Sequence, residues 1–188
     1  MRAAHGAMNI FYSIYIAGLG YSKSVVGGLF SLGVVAEIAM FFFMSSVMRR
    51  YSLRRILIAS FAVAVGRFLL IGWCAYLPVL IFAQTLHSLT FGAFHAASIA
   101  AINHWFRGSA RARGQALYSS VAFGAGGLLG GLVSGWSWDH LGGAMAFTLS
   151  SLFALVGLVF VVKWVKMGDA DEPTGMNAVD TNPDRSRG

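Results

Sequence analysis

Residues 24–55 read SVVGGLFSLGVVAEIAMFFFMSSVMRRYSLRR. From Ser24 to Met48 the run is apolar apart from glycines, a few hydroxyls and one carboxylate, Glu37. As a helix it would be about 38 Å long at about 1.5 Å per residue, enough for the ~30 Å hydrocarbon core of a bilayer. Arg49, Arg50, Arg54 and Arg55 follow at once. A long apolar run that ends in clustered arginines reads as a transmembrane helix whose C-terminal end faces the cytoplasm.

The rest of the 188 residues repeats this pattern. Apolar stretches cover roughly 3–19, 24–48, 56–77, 79–105, 115–136 and 142–165, with short breaks between them. Hydrophobic residues make up 57% of the chain and charged ones only 11%, too little charge to coat a soluble domain. A single cysteine, Cys74, excludes an intrachain disulfide framework and a cysteine-based zinc site. The first stretch is short and carries Arg2 and His5 early, as a signal peptide would. Asn9, Tyr12 and Tyr15 inside it, and the lack of a small-x-small cleavage pattern, favour a shortened span instead. After residue 166 the composition turns polar and proline-containing, so 167–188 is expected to be a disordered tail.

The net charge of +7 would suggest nucleic acid in a soluble protein, but the bases form no single patch. Arg49, Arg50, Arg54, Arg55, Arg107, Arg111, Arg113, Lys163 and Lys166 fall at the second and fourth connections and the end of the last span. The opposite connections hold Lys23 and Asp139. This asymmetry places both termini and the tail in the cytoplasm. Trp73, Trp105, Trp136, Trp138 and Trp164 lie near span ends, as an interfacial belt would.

Ionisable groups inside the spans cost at least ~2.5–3.5 kcal/mol each on insertion scales and are usually functional. Glu37, Arg67 and His95 lie at similar depths near the membrane midplane, with His87 further out. A carboxyl whose protonation depends on whether its cation is near makes a proton switch, so Glu37 and Arg67 are expected to pair. The bland alternative is an ion pair that only fixes helix register. His87 and His95, eight apart on a regular helix, would be rotated by about 80° and separated by about 12 Å, so no metal site is expected. Gly127, Gly131 and Gly135 are spaced by four, and Gly126 with Gly130 repeats the spacing, which predicts a close helix contact. No lysine follows this run, which excludes a phosphate loop. Gly131-Leu132-Val133-Ser134-Gly135 departs by one residue from an intramembrane serine protease pattern, and His140 falls outside the membrane, so no enzyme is expected.

Four segments resemble a known family. Ala4-His5-Gly6-Ala7-Met8-Asn9-Ile10-Phe11-Tyr12-Ser13-Ile14-Tyr15 is similar to the seventh helix of the phenylpropionate-transporter-like branch of the major facilitator superfamily. Gly33-Val34-Val35-Ala36-Glu37-Ile38 is similar to its eighth helix, and Leu86-His87-Ser88-Leu89-Thr90-Phe91-Gly92-Ala93-Phe94-His95 to its tenth. Gly114-Gln115-Ala116-Leu117-Tyr118-Ser119-Ser120 and the glycine-rich helix after it resemble its eleventh. Arg49-Arg50-Tyr51-Ser52-Leu53-Arg54-Arg55 keeps the bases of the superfamily's loop signature without its Asp and glycines.

The resemblance implies an all-α polytopic membrane protein, with residues 1–166 as one six-helix half of a twelve-helix bundle. It implies proton-coupled symport of a small organic solute, such as an aromatic acid, by alternating access and without a cofactor. Glu37, Arg67, His87 and His95 would be the coupling residues. His5, Asn9, Tyr12, Gln84 and Phe91 would line the solute cavity, with Phe94 a further ring. The expected partners are the lipid bilayer of a bacterial inner membrane and an N-terminal half or a second copy, since the site of such transporters lies between halves. The competing reading is a membrane scaffold that transports nothing.

Overall fold

The computed structural model describes residues 1–165; the expected tail at 167–188 and Lys166 lie outside the described residues. The described chain is helical, with no strand among those residues. A 3₁₀ turn, Ala3–His5, leads into α1, Gly6–Gly18. Then come α2 (Lys23–Arg50), α3 (Leu53–Trp73), α4 (Leu77–Trp105), α5 (Ala110–Leu141) and α6 (Gly143–Trp164). The last five are long and apolar enough to cross a membrane by length and composition. With 13 residues, α1 is shorter than a bilayer crossing needs.

Local chemistry sets the boundaries. Ser22 and Ser52 are N-caps whose hydroxyls accept from the backbone N–H of Val25 and Arg55, each at 3.4 Å. Pro78 stands in the first turn of α4, where its missing N–H costs nothing. Two expected breaks are narrower than the polarity pattern suggested. The helix of α5 already starts at Ala110 and runs through 137–141 to Leu141, where Gly142 turns the chain with a φ of 85°. In each case the polar residues are helical at the membrane edge, because nothing in them opposes helix until a glycine or a cap does.

The core lies where α3 and α6 pack along most of their length. Phe61, Ala64, Phe68 and Ile71 of α3 meet Ala146, Phe147 and Ala154 of α6. Hydroxyls and indoles reinforce the apolar contact. Ser151 donates to the Val65 carbonyl at 2.9 Å, Trp73 to Thr148 at 3.0 Å, and Tyr15 of α1 to the Gly72 carbonyl at 2.7 Å. At the opposite end Arg54 donates to the carbonyls of Val162 and Val165 at 2.9 and 2.8 Å. It thereby closes the C-terminus of α6 as well as supplying positive charge. By contrast α2 and α5 each leave more than half of their residues exposed, including Phe42, Val35 and Leu132.

The glycine stripe is real but rotated from its expected register. A Cβ on Gly130 would stand 2.5 Å from the Ala3 carbonyl oxygen, and one on Gly6 only 2.3 Å from that of Gly130. Gly126 reaches Arg2, while Gly127 touches nothing, Gly131 meets only the tip of Ile10, and Gly135 barely meets Phe11. The backbone contact therefore runs along Gly126, Gly130, Ser134 and Ser137, the last three buried. Both rows begin with steps of four; the contacted one runs on through Ser134 and, by a step of three, Ser137. Gly130→Leu is expected to overpack this contact by about 1–3 kcal/mol, lowering the melting temperature in detergent by about 3–10 °C. Gly127→Leu should leave it within about 2 °C of the parent. Equal loss in both variants would contradict the assigned register.

Candidate functional site

The largest fully buried side chain is that of Arg67, on α3. A charge in that place needs acceptors for its donors, and it finds neutral ones. Nε donates to the Ala83 carbonyl at 2.7 Å, Nη1 to the Thr90 hydroxyl at 3.2 Å, and Nη2 to Gln84 Oε1 at 3.2 Å. Met8 of α1 offers its sulfur at 3.7 Å, and the Phe68 ring lies 5.3 Å from Cζ. The expected Glu37–Arg67 pair is absent. Arg67 directs four of its five N–H donors at α4 and Met8 and is fully buried, and Glu37 is instead placed against His87.

Glu37 has a different partner. Its Oε2 stands 3.7 Å from His87 Nε2, with both side chains 18% exposed. The distance is beyond a direct hydrogen bond and within reach of one water. Beside the pair is a cavity of about 80 Å³, lined by Met8, Asn9, Phe30, Gly33, Val34, Gln84 and His87, with room for water. Gly92 makes the approach possible: a Cβ there would already be 3.2 Å from Glu37 Cγ.

A π-helical segment, Ser88–Ala93, aligns the rest. Its i→i+5 bonding fits more residues into each turn than an α-helix does. The steps of four from His87 to Phe91 to His95 therefore superpose instead of drifting round the axis. The His87 and Phe91 rings stack at 5.3 Å and 16°, and Phe91 and His95 at 6.3 Å and 14°. The 80° separation expected for a regular helix is corrected by this segment. His95 thus joins the column through Phe91 and not through Glu37.

The other expected cavity residues divide. Asn9 is exposed at the cavity rim, and Phe91 is half-buried in the column. His5 is fully buried, its ring against Phe68, His87 and Phe91 and its Nδ1 3.2 Å from the Met1 carbonyl. Tyr12 is 1% exposed, edge-on to Phe30 and Phe147, and so is unavailable to a solute. Gln84 is as buried, holding Arg67 from behind while touching the small cavity. Phe94 is turned away and packs edge-on against Phe61 at 5.3 Å. It lines a separate apolar cavity of about 530 Å³.

Sequence reasoning missed Arg2, Tyr118 and Phe123. Arg2 Cζ lies 3.8 Å from the Phe123 ring centroid and 5.1 Å from that of Phe91. Phe123 sits in a second π segment, Ser120–Ala125, and its ring is 6.2 Å from that of His95. A signal existed. Ser88-Leu89-Thr90-Phe91-Gly92-Ala93 and Ser120-Val121-Ala122-Phe123-Gly124-Ala125 share the pattern Ser-x-x-Phe-Gly-Ala, and both form π-helix.

These contacts predict an order of couplings. In double-mutant cycles on unfolding in mixed micelles, Glu37→Gln should couple to His87→Gln by about 0.5 kcal/mol or more, and to Arg67→Gln by less than about 0.3 kcal/mol. Arg67→Gln alone should cost about 3 kcal/mol, because it strands several buried acceptors. A stronger coupling of Glu37 to Arg67 than to His87 would contradict the geometry.

The comparisons with known proteins agree with the fold. Residues 1–149 match the family described as MFS_1 like. The chain is 38% identical, over 155 residues, to a probable 3-phenylpropionic acid transporter of Escherichia coli (strain K12). That match covers 82% of this chain and 40% of the relative, so the chain spans about two fifths of the relative's length. No solved structure matches. By the extent of the family match and the identity to this relative, the chain belongs to the MFS_1 like family, as a phenylpropionate-transporter-like member of the major facilitator superfamily.

Proposed function

We propose that this chain forms one wall of a proton-coupled symporter for a small organic acid, with Glu37 and His87 as the proton site. The observation that carries the reading is their juxtaposition: two ionisable groups from different helices, both partly exposed, beside a small cavity in a largely apolar bundle. Intramembrane groups of this kind are costly and are typically kept for ion or proton handling. The E. coli relative's name supports an aromatic acid as the solute.

In this reading the proton resides on the Glu37–His87 pair and moves between carboxylate and imidazole through the cavity's water. Arg67, held by α4, is a fixed charge behind it. The bundle rocks against an N-terminal six-helix half, which completes the cavity. A proton entering together with a carboxylate moves no net charge, so the pH difference and not the potential drives accumulation, about 1.4 kcal/mol or tenfold per pH unit. The arginine-rich ends face the cytoplasm of a bacterial inner membrane. Asp139→Cys should therefore react with an impermeant thiol reagent in whole cells and Arg111→Cys should not.

In an assembly restored to twelve helices, Glu37→Gln should abolish proton-driven accumulation of 3-phenylpropionate and keep downhill exchange. Gln reproduces the size and hydrogen bonding of a protonated Glu and cannot release a proton. A variant that still concentrates the solute like the parent would leave the membrane-scaffold account of these residues standing.

A further inference from the structure

Among the described residues no carboxylate and no hydrogen-bond acceptor reaches the Arg2 guanidinium. What holds it is aromatic: Phe123 at 3.8 Å and Phe91 at 5.1 Å. The side chain is partly exposed.

The geometry of such a group is specific. Rings attract a guanidinium through its face, whereas a carboxylate is bound through its edge by two parallel N–H donors. The two do not compete, so a guanidinium positioned by rings keeps its carboxylate-binding edge free. Both rings come from the duplicated Ser-x-x-Phe-Gly-Ala segments. His95 lies between them, 6.3 Å from Phe91 and 6.2 Å from Phe123, and Tyr118 is 6.2 Å further on. We infer that Arg2, steadied by Phe91 and Phe123, is the anchor for the carboxylate of the transported solute, with the surrounding rings forming an aromatic recess for its apolar part.

This assignment rests on the transporter reading above and extends it to the residue that selects an acid. It places the solute's charge one ring, Phe91, away from His87 of the proton site. A second source of the same chemistry exists: a carboxylate side chain of the companion half docking on Arg2.

The test is affinity for matched probes, 3-phenylpropionate and its neutral amide, measured by ligand-observed NMR on the full chain in lipid nanodiscs. Arg2→Gln should weaken the acid at least tenfold and the amide less than twofold. Arg2→Lys should recover part of the acid affinity. Phe123→Leu, which leaves every polar contact of the bundle in place, should weaken the acid several-fold by freeing the guanidinium. The inference is overturned if the parent binds no acid, if Arg2→Gln binds it like the parent, or if that variant loses both probes equally. Arg2→Gln that disrupts assembly with an N-terminal half while acid affinity holds would assign the anion to the companion, and also overturns it. Acid binding through Arg2 without any proton movement would instead count against the symport reading and leave the anchor standing.

Discussion

A guanidinium enclosed among helices has to be given acceptors, and this bundle is arranged around giving them to Arg67. Its three strong hydrogen bonds all go to α4, two of them to side chains and one to a main-chain carbonyl beside the point where that helix changes pitch. Removing any acceptor would leave a buried donor unpaired. So α4 is fixed against α3 in one register, and α3 is already locked to α6 by the largest apolar contact in the fold. The consequence reaches α2. His87 stands between Gln84 and Thr90 on α4, lines the small cavity together with Gln84, and meets Glu37 of α2. The structural cation and the carboxylate–imidazole pair are thus neighbours with different tasks.

The two π segments show how a membrane helix presents a row of rings on one face. A regular α-helix spreads residues four apart over successive angles, whereas a local widening brings His87, Phe91 and His95 into stack. Small residues accompany this, since Gly92 admits Glu37 at van der Waals distance. On the neighbouring helix the same six-residue pattern brings the Phe123 ring within 6.2 Å of His95. The open sides of α2 and α5 have few internal contacts, which suits surfaces that meet lipid or another bundle.

Much of this was legible in the residues. Apolar run length and arginine placement gave the helices to within a few positions, because bilayer thickness constrains both. Glu37, Arg67, His87 and His95 stood out because charge in an apolar run is expensive. Their partnerships did not follow. Depth along a helix is readable from residue count, but azimuth is not once a π segment intervenes, so Glu37 was matched to Arg67 on depth alone. The same ambiguity rotated the glycine stripe by one residue, since Gly127 and Gly130 belong to equally spaced rows. Tyr12 reads as a cavity ring and is a core residue, because a tyrosine at helical spacing carries no mark of which face it will bury.

In the proposed cycle a proton moves with the solute through the Glu37–His87 site. The direct measurement is the pH of a lightly buffered suspension of de-energised vesicles carrying the twelve-helix assembly when 3-phenylpropionate is added outside. Entry of solute should alkalinise the medium by about one proton per molecule taken up, and Glu37→Gln should abolish the alkalinisation while solute still exchanges. Solute entry with no change in external pH in the parent, or an undiminished proton signal in Glu37→Gln, would contradict it.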